Sequence, residues 1–162
     1  MDGNRVASRA ATGKPEGVGK NSLSMEHKLQ DKIKKFQHYL RKLLTYAEIP
    51  DNELTDPKKE ASLLALERLF QLVVDEAIDI NTELIQLKAN KIPDTYRGTF
   101  YELPLIGILD QVFADKISHS VKIRNHIVHE YEDMKMSEVI HHIKDYAEMY
   151  KMYIQTIIDK AL

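Results

Sequence analysis

The sequence feature that most constrains the fold is an unbroken run of apolar residues at helical spacing in the middle of the chain. Its members recur at alternating intervals of three and four residues: Leu63, Leu66, Phe70, Val73, Ala77, Ile80, Leu84 and Leu87. This spacing predicts one long α-helix. Leu69, Val74 and Ile78 widen the apolar stripe, and Pro57 and Pro93 bracket it. Such a wide stripe is typical of a central helix packed against more than one neighbour.

Other segments have the same helical period. Apolar residues at intervals of three and four predict helices over about 27–48, 115–128 and 138–160, with a short, partly irregular helix over 99–110. No segment alternates apolar and polar residues with a period of two. The sequence therefore predicts an all-α fold, an antiparallel bundle of four to five helices.

The first 24 residues differ from the rest of the chain. They hold four of its six glycines and few apolar side chains. Such a composition buries too little surface to offset the entropy of ordering it, so we expect 1–24 to be a disordered or vector-derived leader and 25–162 to be the domain. The leader has four basic and two acidic residues, so removing it shifts the formal net charge from −2 to −4.

The composition excludes several kinds of function. The chain has no cysteine, so disulfides, thiolate metal sites and a cysteine nucleophile are ruled out. No apolar run approaches the roughly 20 residues of a membrane-spanning helix, and we expect a cytoplasmic protein without a cofactor. The near-neutral bulk charge shows no general attraction to nucleic acid. Any function must therefore come from a local group of residues.

The strongest local signal is a polar cluster near the end of the 115–128 helix. Arg124, Asn125, His129 and Tyr131 lie within eight residues, around the apolar pair 127–128. Arginine can clamp two phosphate oxygens, and histidine can take up or release a proton near neutral pH. Asn125 and His129 fall on one helix face, whereas Arg124 lies about 140° from His129. Arg124 and His129 could converge at a frayed helix end or across a two-fold interface with a second copy.

This cluster resembles a known family. Arg124, His129 and Tyr131 reproduce the Arg-x4-His-x-Tyr motif of HepT-like toxins in the HEPN superfamily, and Asn125 is the usual residue after the arginine. The resemblance extends over 25–162, including the acidic-Ile-Asp element of the central helix and the proline turn at 92–93.

The resemblance implies a homodimeric, metal-independent ribonuclease with two motif copies facing each other across a cleft. His129 would move protons on the ribose 2′-hydroxyl and the leaving oxygen, Arg124 would stabilise charge on the cut phosphate, and Asn125 would orient the phosphate or the histidine. The RNase would be the toxin of a pair. A small nucleotidyltransferase antitoxin would neutralise it by attaching AMP to Tyr131.

Less specific interpretations remain open for these residues. Arg124 could form a surface ion pair, His129 could be a packed histidine, and Tyr131 could close the end of the bundle. The pairs His126/His129 and His141/His142 are weak candidates for metal ligands because no third ligand is evident. The acidic residues at 75, 76 and 79 are typical of a solvated face, and the tyrosines at 146, 150 and 153 of packing or of a dimer surface.

Two other functions also remain possible. The chain could be a non-catalytic helical subunit that binds a minimal nucleotidyltransferase, which the acidic net charge favours. It could also be a purely structural dimerising bundle. Nuclease activity of the protein without its partner would separate the ribonuclease from both.

Overall fold

The computed structural model describes residues 2–129 and 134–162, with side chains from Ser24 onward. Its α-helices are α1 Asp2–Ala47, α2 Asp51–Leu54, α3 Glu60–Ala89, α4 Tyr96–Glu102, α5 Gln111–Ser118, α6 Ser120–His129 and α7 Met136–Ala161. A 3₁₀ turn, Pro57–Lys59, precedes α3. Within these ranges there is no β-strand, so the predicted all-α class is confirmed. No helix in the described part is apolar over a length that could cross a membrane.

The long helices α1, α3 and α7 form the body of the bundle. Lys32 and Lys35 of α1 pair with Asp79 and Glu76 of α3 in reverse order, so these two helices are antiparallel. The apolar stripe of the central helix is confirmed as its packing face, since its six middle members from Leu66 to Leu84 are all buried. The domain boundary predicted at residue 24 stays a prediction. The helix α1 begins at Asp2 and continues past residue 24, but side chains are described only from Ser24 onward, so the packing of the earlier ones is not compared with the prediction.

The acidic residues of α3 are not a uniformly solvated face, and in this respect the prediction from sequence was wrong. Glu76 is only 7% exposed, and one of its carboxylate oxygens lies 3.0 Å from Lys35 Nζ. The hydrogen bond that Lys35 donates to Glu76 and the negative charge of Glu76 raise the pKa of Lys35. Asp75 pairs with a residue of α6, and of the three residues at 75, 76 and 79 only Asp79 is largely exposed.

Buried polar contacts fix the short helices against the bundle. The Tyr153 hydroxyl of α7 donates to Asn81 Oδ1 of α3 at 2.6 Å, and Asn81 Nδ2 donates to Thr99 Oγ1 of α4 at 3.1 Å. At the start of α6, Ser120 Oγ and Tyr150 Oη lie 2.6 Å apart. Tyr150 and Tyr153 therefore pack inside the bundle, as their helical spacing favoured. Burial raises the pKa of both tyrosines.

The region between α3 and α7 differs from the sequence prediction in two places. The short helix begins at Tyr96 and ends at Glu102, and the following turns contain Gly107 at a φ of 77°. The helix predicted over 115–128 is two helices separated at His119. The hydroxyls of Ser118 and Ser120 each donate to a backbone carbonyl three residues earlier, at 2.6 Å, and this local competition with the backbone ladder explains the break.

Candidate functional site

Arg124 is held in place by three neighbours. Its Nε donates to Asp75 Oδ1 of α3 at 2.8 Å, and its Nη1 donates to Asn125 Oδ1 at 3.1 Å. Its guanidinium carbon lies 6.0 Å from the ring centre of Tyr96, within range of a cation–π contact. The Arg124 side chain is 17% exposed. Arg124 is thus in an ion pair, as the less specific interpretation allowed, but the pair joins two helices and is partly buried.

A cavity of about 610 Å³ lies between α4 and α6. Its lining residues are Thr95, Tyr96, Arg97, Val121, Lys122, Asn125, His126, His129 and Met134. We call it the α4–α6 cavity. Asn125 and His129 both line it, as their spacing of one helical turn predicts. Arg124 does not line it directly, but Arg124 touches two residues that do, Asn125 and Tyr96.

The described lining of the α4–α6 cavity is basic. It includes Arg97 and Lys122 and no Asp or Glu side chain, although the chain as a whole has a net charge of −2. Neither cation was predicted from the sequence as part of the site. Lys122 lies three residues before Asn125 and seven before His129, so helical spacing could have found it. Arg97 is on another helix, and no sequence spacing connects it with the motif.

The remaining candidate residues are distributed as follows. Tyr131 lies outside the described residues. His126 lines the cavity beside His129, whereas His141 lies on α7 with its Nε2 3.1 Å from Asp145. The described ranges contain no group of three or more side chains of His, Asp or Glu placed to hold a metal ion.

These features define a class of protein, an all-helical bundle with an arginine, an asparagine and a histidine beside a basic cavity. That combination suits phosphate chemistry. A family model described as Ribonuclease HepT-like matches residues 36–157, and the chain belongs to that family.

Two curated relatives carry the family name. The chain is 36% identical over 95 residues to "tRNA nuclease HepT" of Aphanizomenon flos-aquae, in an alignment that covers 58% of this chain and 64% of that protein. The chain thus spans slightly less than two thirds of that relative's length. It is 25% identical over 99 residues to "mRNA nuclease HepT" of Shewanella oneidensis, covering 61% of this chain and 71% of that protein.

Solved structures share the fold. A tri-AMPylated Shewanella oneidensis HEPN toxin in complex with an MNT antitoxin superimposes with a TM-score of 0.71 at 19% identity, over 82% of this chain and 97% of that one. A toxin–antitoxin structure with AMP-PNP gives a TM-score of 0.68 at 19% identity, over 82% of this chain and 98% of that one. At this identity the likeness establishes the helical fold alone.

Proposed function

We propose that this protein is the ribonuclease toxin of a toxin–antitoxin pair and that it cuts RNA at the α4–α6 cavity. The observation that carries the proposal is the placement of Asn125 and His129 on a basic cavity, with Arg124 fixed beside it by Asp75. Membership of the HepT-like family and the two relatives named as nucleases support it.

In the proposed reaction the ribose 2′-oxygen attacks the adjacent phosphorus, and the bond to the 5′-oxygen of the next nucleotide breaks. The products are a cyclic phosphate and a free 5′-hydroxyl. His129 takes the proton from the 2′-hydroxyl or gives one to the leaving 5′-oxygen, water carries the other proton, and Arg124 stabilises the charge that develops on the phosphate. The nucleophile is the 2′-hydroxyl of the substrate, so this mechanism requires RNA instead of DNA and needs no metal-activated water.

Asn125 has a more specific role in this proposal than sequence alone indicated. Its Oδ1 accepts a hydrogen bond from Arg124 Nη1, while its side chain lines the cavity. The Oδ1 atom of Asn125 therefore helps to fix the guanidinium of Arg124, and its Nδ2–H groups can donate hydrogen bonds to a phosphate.

The active form is proposed to be a homodimer. Arg124 points to α3 and His129 to the cavity in one copy, and they lie about 140° apart around α6. A two-fold axis near α6 would bring Arg124 of one copy towards His129 of the other.

Control by a nucleotidyltransferase completes the proposal. An MNT-type antitoxin would transfer AMP to Tyr131, two residues after His129. A bulky anion there would block the path of the RNA and repel its phosphates. The structural relatives in complexes with an MNT antitoxin, one of them tri-AMPylated, support this partner and this modification.

The test is cleavage of a synthetic single-stranded RNA by the purified protein without its partner. Arg124→Ala and His129→Ala should each lower the cleavage rate by about 100-fold or more, and the DNA version of the oligonucleotide should stay intact. Arg41→Ala on α1 and His141→Ala on α7 are matched controls at exposed positions. If the two motif variants cut RNA like the parent, the assignment of catalytic residues is wrong. A parent that binds a nucleotidyltransferase but never cuts RNA would favour the non-catalytic binding subunit.

Mixing the two inactive variants tests the dimer. If Arg124 and His129 of one site come from different copies, a heterodimer of Arg124→Ala with His129→Ala regains one intact site. A random mixture should then recover about a quarter of the parent's activity. No recovery, with subunit exchange verified by mass spectrometry, would contradict a shared site.

A further inference from the structure

Arg97 stands out in the α4–α6 cavity because none of the carboxylates in the described ranges pairs with its charge. Its Nη2 donates to Tyr101 Oη at 2.8 Å and lies 3.4 Å from His119 Nδ1. Its guanidinium carbon lies 5.9 Å from the ring centre of Tyr101. In the described part of the chain no Asp or Glu pairs with it. Neither partner is a carboxylate, so they orient the guanidinium without neutralising it.

The Nε atom of Arg97 is buried and has no hydrogen-bond partner among the described residues. A buried N–H of a charged group without an acceptor is unfavourable, and native proteins retain few of them. By contrast, Arg124 gives its Nε–H to a carboxylate. Arg97 thus keeps an unpaired donor, and its side chain lines a cavity whose described lining has no acidic residue.

The position of Arg97 is fixed by its helix. Thr95 Oγ1 accepts from the Gly98 amide at 2.9 Å and caps α4, and Thr99 Oγ1 is held by Asn81 inside the bundle. Arg97 therefore faces the α6 residues of the cavity from a rigid support. Lys122, on the exposed side of α6, adds a second positive charge to the same lining.

We propose that Arg97, assisted by Lys122, binds a backbone phosphate of the RNA next to the phosphate that is cut. Arg124 and Asn125 would engage the scissile phosphate, and Arg97, on the facing helix, the neighbouring one. Arginine suits this role since its N–H donors match phosphate oxygens in a fixed geometry. The protein would then prefer substrates that extend beyond the cleaved linkage. This inference rests on the proposed ribonuclease function.

Binding is measured first, so that the result does not depend on cleavage. A fluorescent single-stranded RNA is titrated with protein in the His129→Ala background at several salt concentrations. Adding Arg97→Gln should weaken binding about tenfold, and it should reduce the slope of log K against log salt by about 0.7, the value for one lost phosphate contact on a single strand. Arg97→Lys should keep the slope because it keeps the charge. The matched control Arg41→Gln should change neither quantity.

Cleavage is measured second, with a dinucleotide that has only the scissile phosphate and a trinucleotide that has one more. The parent should have the higher kcat/KM on the trinucleotide. In Arg97→Gln, kcat/KM on the trinucleotide should fall about tenfold, whereas kcat/KM on the dinucleotide should equal that of the parent. Misfolding cannot produce this pattern, because it would lower both values. If Arg97→Gln binds RNA with the parent's affinity and salt slope, the inference is overturned. A parent that never cuts RNA overturns the proposed function instead, and the binding titration still decides the role of Arg97.

Discussion

The ion pair between Asp75 and Arg124 leads to the sharpest prediction about the site. Asp75→Asn keeps the size and shape of the side chain and removes its charge. Arg124 would then lose the carboxylate that fixes its Nε at 2.8 Å, while its contacts with Asn125 and Tyr96 remain. We expect the guanidinium to sample several orientations, so that fewer molecules present it to the phosphate.

The magnitude follows from the burial of the pair. Two unit charges about 4 Å apart attract by about 4 kcal/mol at an effective dielectric constant of about 20. Asp75 is 37% exposed and Arg124 17%, so water screens part of this attraction and desolvation offsets more. A net loss of about 1–2 kcal/mol in the free energy of unfolding remains, or a fall of roughly 3–6 °C in Tm. A similar loss of transition-state stabilisation lowers kcat by roughly tenfold.

Single-turnover cleavage of the RNA oligonucleotide and thermal unfolding are measured on the same preparations. Asp79→Asn is the matched control because Asp79 lies one turn further along α3 and pairs with Lys32 at 3.5 Å on the exposed side. That change should leave cleavage unaltered and shift Tm by a degree or two at most. If Asp75→Asn cuts RNA at the parent's rate or faster while Arg124→Ala is inactive, Asp75 does not position the arginine. An equal loss in Asp79→Asn would refute the reasoning as well.

Two other predictions concern regulation and pH. Tyr131→Phe should keep RNA cleavage but escape neutralisation by the nucleotidyltransferase and AMP, and mass spectrometry that finds AMP on another residue would refute the assignment. Burial raises the pKa of Tyr150 and Tyr153, so the folded protein keeps protons that unfolded tyrosines lose above about pH 10. The contribution of these two tyrosines to stability should therefore be intact below about pH 10 and fall as the pH rises further, as followed by circular dichroism. Tyr153→Phe should lessen this alkaline fall but lower Tm at neutral pH, since Asn81 loses its buried donor, whereas Tyr46→Phe should do neither.

The long helices could be predicted from sequence because each one buries a face with a regular period. The stripe from Leu63 to Leu87 needs no knowledge of its neighbours to be recognised. The break at His119 could not be predicted in the same way. Residues 117, 121 and 123 are apolar on both sides of it, so the apolar period continues across the break. The serine hydroxyls at 118 and 120 also contact Tyr101 and Tyr150, and only folding brings these partners close.

The same distinction applies to the site. Asn125 and His129 are one turn apart, so their common face follows from helical geometry alone. The contact of Arg124 with Asp75 joins residues 49 positions apart, and it requires the packing of α6 on α3. The acidic residues of α3 looked like a solvated face because their partners, Lys35 and Arg124, lie on other helices.

The charge of the chain illustrates why a bulk property is a poor guide to a local one. A net charge of −2 argues against binding nucleic acid if the charge is spread evenly. In the structure, carboxylates of α3 are instead taken up in pairs with Lys32, Lys35 and Arg124. Arg97 has no such pair in the described part, and it lines the cavity together with Lys122. An acidic protein can therefore offer a phosphate a positive surface, because the fold neutralises some of its cations and leaves others available at the cavity.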